Sequence, residues 1–268
     1  MKQKILLVDS SAESRGFFST INLLLLTLQW CSEENLLPVI SPSVLSLYGS
    51  KSKKIRAFSE FFGDIYSGGE SGMVAMEIAH VHNSNLLNFD DPEVVKKLSV
   101  LNKVLLDNMV EPLKNFIHTP PLGDYLNSSI SVHFRGCDYL KYTPINHVAN
   151  STPQEFLRKI EHLISGKGVF VATDDISFVD IALSRGHDVA YFSDVYRKGP
   201  GRGVHIKSFL ERWGFINGRE QTRKGYEVCR DVYWLSKNDL YIGSNSNLMY
   251  YAKLLNPAQR QINLSQTN

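Results

Sequence analysis

Cysteine is scarce in this chain of 268 residues: Cys31, Cys137 and Cys229 are the only three, roughly a hundred residues from one another. An odd number with no Cys-x-x-Cys pair and no Cys–His spacing argues against a disulfide framework and a structural zinc site, and it fits a reducing compartment. An excess of charge of one sign is missing too. Lys and Arg number 29 against 27 Asp and Glu, a net charge of +2, so the broad basic field behind non-specific nucleic-acid binding is absent. No apolar run approaches the ~20 residues of a membrane span. The run from Ile21 to Trp30 is far shorter, and it follows a polar stretch from Asp9 to Arg15 that a secretory signal would not place there. Neither a GxGxxG fingerprint nor a Walker A loop occurs, which argues against NAD-dependent and P-loop enzymes. These absences predict a cytoplasmic protein, or one peripheral to a membrane, with no transmembrane segment and no nucleic-acid partner.

What is present can fill a core. Hydrophobic residues make up 43% of the chain, aromatics 11% and charged residues 21%, which excludes disorder and fibrous repeats. At roughly 100–200 residues per domain, the length admits one large domain or two small ones. Residues 4–8 predict a first buried strand, 19–34 a helix apolar nearly all round, and 38–40 a second strand. The stretch 41–91, broken by Gly63, Gly68, Gly69 and Gly72, shows no clear element. Residues 92–116 read as a helix kinked or ended at Pro112, and Thr119-Pro120-Pro121-Leu122-Gly123 as the boundary between domains 1–123 and 124–268. Strand and helix then alternate. Strands are expected over 130–134, 168–172, 188–192 and 240–242. Helices are expected from the capping box Thr152-Pro153-Gln154-Glu155 to Gly166, over 176–184, over 226–236, and from Asn247. Such alternation predicts an α/β protein with a parallel sheet in each half.

In open α/β sheets, ligands sit outside the carboxyl ends of the strands, so the residues just after strands carry the functional reading. In Ser131-Val132-His133-Phe134-Arg135-Gly136-Cys137-Asp138, alternation puts Val132 and Phe134 on one face and His133 and Arg135 on the other. Arg135 offers a planar fork of donors for a phosphate or carboxylate, with Asp138 placed to orient it; an ordinary Arg–Asp pair closing a loop is the competing reading. Thr173-Asp174-Asp175 sets two carboxylates between a strand and a helix, where one is expected to cap the helix. With few oxygen ligands and no Asp-x-Asp spacing, a metal site is not expected. Gly243-Ser244-Asn245-Ser246-Asn247 is an anion site in outline, or else a polar turn capped by Ser or Asn. The opening from Gly16 to Asn22, with one glycine, is far weaker than a dinucleotide loop.

Taken in order, these segments resemble the fucosyltransferase superfamily, and within it the alpha-1,6 type of nodulation and core fucosylation. The likeness is carried by His133-x-Arg135-x-x-Asp138, Phe170-Val171-Ala172-Thr173-Asp174-Asp175, Tyr191-Phe192-Ser193-Asp194 and Gly203-Val204-His205. It continues from Asp231 to Asn247, which reads Asp-x-x-x-Leu-Ser-x-x-Asp before a strand and a Ser-rich turn. In the N-terminal half only Gly16 to Asn22 looks similar. The resemblance implies two Rossmann-like domains of the GT-B type, the first on the acceptor side and the second holding GDP-fucose, with a glycan acceptor, no metal and no cofactor. Carried over residue by residue, it implies Arg135 on the diphosphate of the leaving GDP, His133 and Asp231 on guanine, and Ser244, Ser246 or Asn247 as phosphate donors. Asp174 and Asp175 match acidic positions that shape the nucleotide pocket; Asp138, His205, Gly16 and Asn22 complete the implied nucleotide-sugar site. The chemistry implied is an inverting transfer of fucose or a related deoxysugar, with a base deprotonating the acceptor hydroxyl.

The chain also departs from that pattern. Where the alpha-1,6 enzymes carry a second arginine and a lysine, Gly136 and Tyr139 stand here, and no carboxylate falls between Asp138 and Glu155, where the family's proposed base would lie. His147 is the nearest titratable candidate for a base, against the plainer reading of a bystander in a loop. The missing carboxylate favours an alternative of another class: a non-catalytic nucleotide- or glycan-binding protein with a degenerate transferase site. Asp231 has a plainer reading as well, a solvated residue on an exposed helix face shared with Glu227 and Arg230. The basic loop from Arg197 to Lys207 is suited to a phosphate or an acidic glycan, or is simply solvated.

Overall fold

Two parallel sheets form from the alternating strands and helices. The structure, a computed structural model, describes residues 5–8, 16–41, 44–45, 48–49, 57–63, 77–78, 91–123, 128–136, 151–195 and 219–264. The chain divides into one unit of Met1–Phe116 with Trp213–Tyr226, and a second of Ile117–Arg212 with Glu227–Asn268. The division thus comes slightly before the Pro-rich segment read as a boundary, and 213–226 groups with the first unit.

In the first unit, β1 (Ile5–Val8), β2 (Leu37–Ile40) and β3 (Glu77–Ile78) pair in parallel in the order β2-β1-β3. The helix between β1 and β2, α1 (Phe17–Glu33), buries Phe17, Ile21, Leu24, Leu25, Leu28 and Cys31, so it is covered on more than one side as its apolar pattern requires. Four and two residues, in α2 (Ser59–Phe62) and β3, are too few to show a period, and both lie in the stretch that shows no element in sequence. They are decided by packing: Phe61 of α2 meets Phe17 edge-on at 5.0 Å. Asp91 caps α3 (Pro92–Asp107) through the Glu93 N–H at 2.9 Å, and Val95, Leu98, Asn102 and Leu105 face inward. Pro112 does not kink this helix. It is the second residue of α4 (Glu111–Ile117), where a proline's missing N–H leaves no broken bond. Residues 219–226 bring part of a later helix into this unit, and a Cβ at Gly225 would lie 2.5 Å from the Phe61 ring.

In the second unit, β4 (Ser128–Phe134), β5 (Gly168–Thr173), β6 (Val189–Tyr191), β7 (Leu240–Gly243) and β8 (Arg260–Asn263) form an all-parallel sheet in the order β6-β5-β4-β7-β8. Successive strands are added on one side of β4 and then on the other. The β4–β5 and β5–β6 crossovers carry α5 (Pro153–Ile164) and α6 (Ile176–Ser184) to one face. There Phe156, Leu157, Phe178 and Val179 pack on Val132, Phe134 and Val171. The predicted capping box of α5 is formed, with Thr152 N–H donating to Glu155 at 2.8 Å and Glu155 N–H to Thr152 at 3.3 Å. Reversal of strand addition sends α8 (Asn247–Leu255), the β7–β8 connection, to the other face. The last segment of α7 (Arg219–Leu235) packs in this unit through Trp234, edge-on to Phe192 at 6.4 Å. This helix starts earlier than residue 226, because polar residues and Gly225 hide its period, and β8 escapes notice because Arg260, Gln261 and Asn263 make it a mostly polar edge strand. The boundary segment guards the opposite edge: Leu122 and Tyr191 exchange backbone hydrogen bonds of 2.7 and 2.9 Å. No helix among the described residues is long and apolar enough to cross a membrane.

Candidate functional site

The strand order reverses between β4 and β7, and in open α/β sheets ligands bind in the crevice that such a reversal makes outside the carboxyl ends of the strands. His133 of β4 and Gly243 of β7 are direct partners in the register. The sequence segments that follow these two strands therefore share one place, and each side is built differently.

On the β4 side, Val132 and Phe134 join the apolar core while His133 lies on the other face, its ring 6.5 Å from that of Tyr241. His133 is buried and its Nδ1 has no hydrogen-bond partner. Burial first, and the charge of Arg135 second, depress its pKa to about 3, so the imidazole is neutral at physiological pH. Arg135 itself is half-buried. The next residue is pinned: Gly136 N–H donates to Asp174 Oδ1 at 2.8 Å. A Cβ at Gly136 would lie 2.8 Å from Phe134 Cε1 and 2.9 Å from Asp175 Oδ2. The position where the resemblance leads one to expect a second arginine thus has no room for a methyl group. Asp175 is the expected helix cap, its Oδ1 accepting from the Ser177 N–H at 3.0 Å and the Ser177 hydroxyl at 2.7 Å. Asp174 therefore ties the end of β4 to the turn after β5, while the Asp175 carboxylate is engaged at the start of α6.

On the β7 side, Leu240 and Ile242 face the core, and Tyr241 and Gly243 face the other way. Tyr241 is fully buried, and its hydroxyl makes no hydrogen bond of ordinary geometry. Burial pushes its pKa up, with the Ser246 hydroxyl pulling the other way. Gly243 is required beside it, since a Cβ there would meet Tyr241 Cε1 at 2.8 Å and the His133 carbonyl oxygen at 3.1 Å. Ser246 caps α8 by accepting from the Met249 N–H at 3.2 Å. Ser244, Ser246 and Asn247 are half-buried around the positive end of that helix. Tyr241 was not singled out from the sequence; strict alternation beside a glycine was the available signal.

Asp231 is half-buried on α7, but its helix neighbours are not solvated: Glu227 and Arg230 are only 4% and 1% exposed. The exposed-face reading of this helix is thereby corrected. Arg230 binds both carboxylate oxygens of Asp194 and stacks over the Phe192 ring at 3.8 Å. A buried arginine leaves no mark in a hydrophobic pattern, and the Tyr191-Phe192-Ser193-Asp194 segment was the only hint of its partner. Gly16 and Asn22 belong to the first unit, Gly16 at the cap of α1 with open space beside it and Asn22 buried within that helix. Cys137, Asp138, Tyr139, His147 and His205, with the loop 197–207, lie outside the described residues. Among the described residues no group of three or more His, Cys, Asp or Glu could hold a metal ion.

No protein-family model and no curated protein matches the chain. Solved structures do match. NodZ alpha-1,6-fucosyltransferase co-crystallized with GDP aligns over 98% of this chain and 95% of its own, with a TM-score of 0.54 and 14% identity. The same enzyme soaked with GDP-fucose aligns over 100% and 97%, with a TM-score of 0.51 and 14% identity. Fucosyltransferase NodZ from Bradyrhizobium aligns over 98% and 96%, with a TM-score of 0.52 and 15% identity. At such identity the likeness is one of architecture, and over nearly its whole length this chain has an α/β fold similar to that of NodZ fucosyltransferase.

Proposed function

We propose that the chain is a glycosyltransferase of the GT-B type, built from two Rossmann-like domains, that moves fucose or a related deoxysugar from a GDP-sugar to a glycan acceptor with inversion and without a metal. The observation that carries this reading is the convergence at one strand-order reversal of Arg135, a neutral buried His133 and the N-terminus of α8. Arg135 and the donors from Ser244 to Asn247 take the charge that develops on the departing GDP. His133 and Asp231 read the guanine, because a carboxylate accepts from its N1–H and exocyclic amine together, a pair that adenine, uracil and cytosine do not offer in that geometry. Asp138, His205, Gly16 and Asn22 complete the nucleotide-sugar contacts, and Asp174 and Asp175 shape the pocket, Asp174 through the Gly136 N–H and Asp175 as the cap of α6. His147 remains the candidate base. The GDP and GDP-fucose of the NodZ crystals supply the donor class assigned here, and a cytoplasmic setting follows from the composition.

Calorimetry against GDP, UDP, ADP and NAD, followed by turnover of GDP-fucose over an acceptor panel, tests the reading. GDP is expected to bind at least ~10-fold more tightly than UDP or ADP, with Asp231→Asn narrowing the gap and transfer surviving chelation. Equal binding of GDP and UDP overturns it. A second reading, a binding protein with a degenerate site, is favoured by the absence of a carboxylate from 139 to 154 and by the engagement of Asp175 as a cap. It predicts GDP binding with no transfer to any acceptor.

A further inference from the structure

We propose that Arg230 is a positioning residue for base recognition: with Asp194 and Phe192 it locks the rotation of α7, and so fixes the direction in which the neighbouring Asp231 presents its carboxylate to the guanine. The proposal rests on the GDP-sugar reading, in which Asp231 accepts from the base. Arg230 is 1% exposed on the buried face of α7. Its two terminal nitrogens donate to the two carboxylate oxygens of Asp194, Nη2 to Oδ1 and, at 3.3 Å, Nη1 to Oδ2. Its guanidinium carbon lies 3.8 Å from the centre of the Phe192 ring. Both partners belong to the segment that leaves the carboxyl end of β6. One turn further along the same face, Trp234 Nε1–H donates to the Ile117 carbonyl oxygen at 2.8 Å, and its ring meets Phe192 edge-on.

Packing alone does not require an arginine there. A methionine would cover Phe192 without taking a guanidinium out of water, and the attraction that offsets that cost is weakened because the Asp194 side chain is 47% exposed. What the ion pair adds is direction. Apolar burial is indifferent to small rotations of a helix, whereas a forked pair of hydrogen bonds weakens steeply once its angles are lost. Adjacent residues on a helix are set about 100° apart around its axis. With Arg230 fixed on Asp194 and Trp234 fixed on Ile117, the bearing of Asp231 is therefore fixed as well. A carboxylate that must accept from two guanine donors together needs that bearing, because a misaligned one keeps a single bond and leaves the other donor unpaired.

The test is calorimetry with GDP, UDP and inorganic pyrophosphate on the wild type, on Arg230→Met and Asp194→Asn, and on each of these combined with Asp231→Asn. Both single variants are expected to cut the preference for GDP over UDP by about threefold to tenfold and to leave pyrophosphate affinity unchanged. In the Asp231→Asn background neither should change the preference further. A preference unchanged in Arg230→Met, an equal loss for GDP and pyrophosphate, or an effect that persists without the Asp231 carboxylate each overturn the proposal. If Arg230→Met does not fold, Asp194→Asn, which alters the half-exposed partner and keeps one acceptor, is judged by the same criteria. A wild type that binds GDP and UDP equally overturns the GDP-sugar reading and this proposal with it. A wild type that prefers GDP, with variants that prefer it just as strongly, overturns the proposal alone.

Discussion

The two strand ends flanking the crevice use their polar groups in opposite ways. After β4 the protein satisfies itself: Gly136 N–H is taken by Asp174, and the Asp175 carboxylate by the backbone and hydroxyl of Ser177. Beside the turn after β7, the Tyr241 hydroxyl and, across the register, His133 Nδ1 are buried without partners. The bond from Gly136 N–H to Asp174 fixes the backbone directly after Arg135. A turn with unmet hydrogen bonds is less stable than it need be, and such a deficit is tolerable where a ligand or an ordered water makes it good.

The contrast can be broken most severely at Arg135. We predict that Arg135→Ala lowers transfer by ~10²–10³ with an unchanged circular dichroism spectrum, since it removes a donor from charge that develops in the transition state. A variant retaining more than half the wild-type rate would show that this strand end is not the phosphate clamp.

The next effect is in pH dependence. His133 is depressed to about 3 in the folded protein from an ordinary value of 6.5, so below pH 6.5 the unfolded chain binds the proton and the folded one does not. The stability it contributes is present above that value and drains away as pH falls toward 3, at about 1.4 kcal/mol per pH unit. Urea unfolding at pH 7 and pH 5 should differ by ~2 kcal/mol from this group alone, and His133→Gln should remove that part. An identical slope in the variant would mean that the ring is not buried neutral.

Smaller effects compare the two glycines. Gly136→Ala and Gly243→Ala each force a methyl to within 2.8 Å of a ring carbon, of Phe134 and Tyr241 respectively, and each should destabilise by about 1–3 kcal/mol. Shortening the ring end by Tyr241→Leu should relieve only the second. Strictly additive losses for Tyr241→Leu and Gly243→Ala would place the obstacle elsewhere.

Smallest are the two caps. Asp175→Ala and Ser246→Ala should each cost about 1 kcal/mol in urea melts. The comparison is sharpened by ligand: Ser246→Ala should also weaken pyrophosphate binding. If it does not, the turn after β7 is as structural as the loop after β4.

What the sequence determined by itself was local. The bounds of α6, the Thr152–Glu155 box, the Asp175 cap and the opposed faces of His133 and Val132 were all legible, because periods of 2 and 3.6 residues and cap signals are written within a few positions. The resemblance to fucosyltransferases was legible too, since it rests on residues that follow strands. Tertiary structure decided the rest. The order β6-β5-β4-β7-β8, the pinning of Gly136 by Asp174, the burial of Arg230 on Asp194 and the unpartnered Tyr241 hydroxyl join residues far apart in the chain. Which distant partner a polar group meets depends on how strands are ordered and faces are packed, and local alternation or a capping pattern specifies neither.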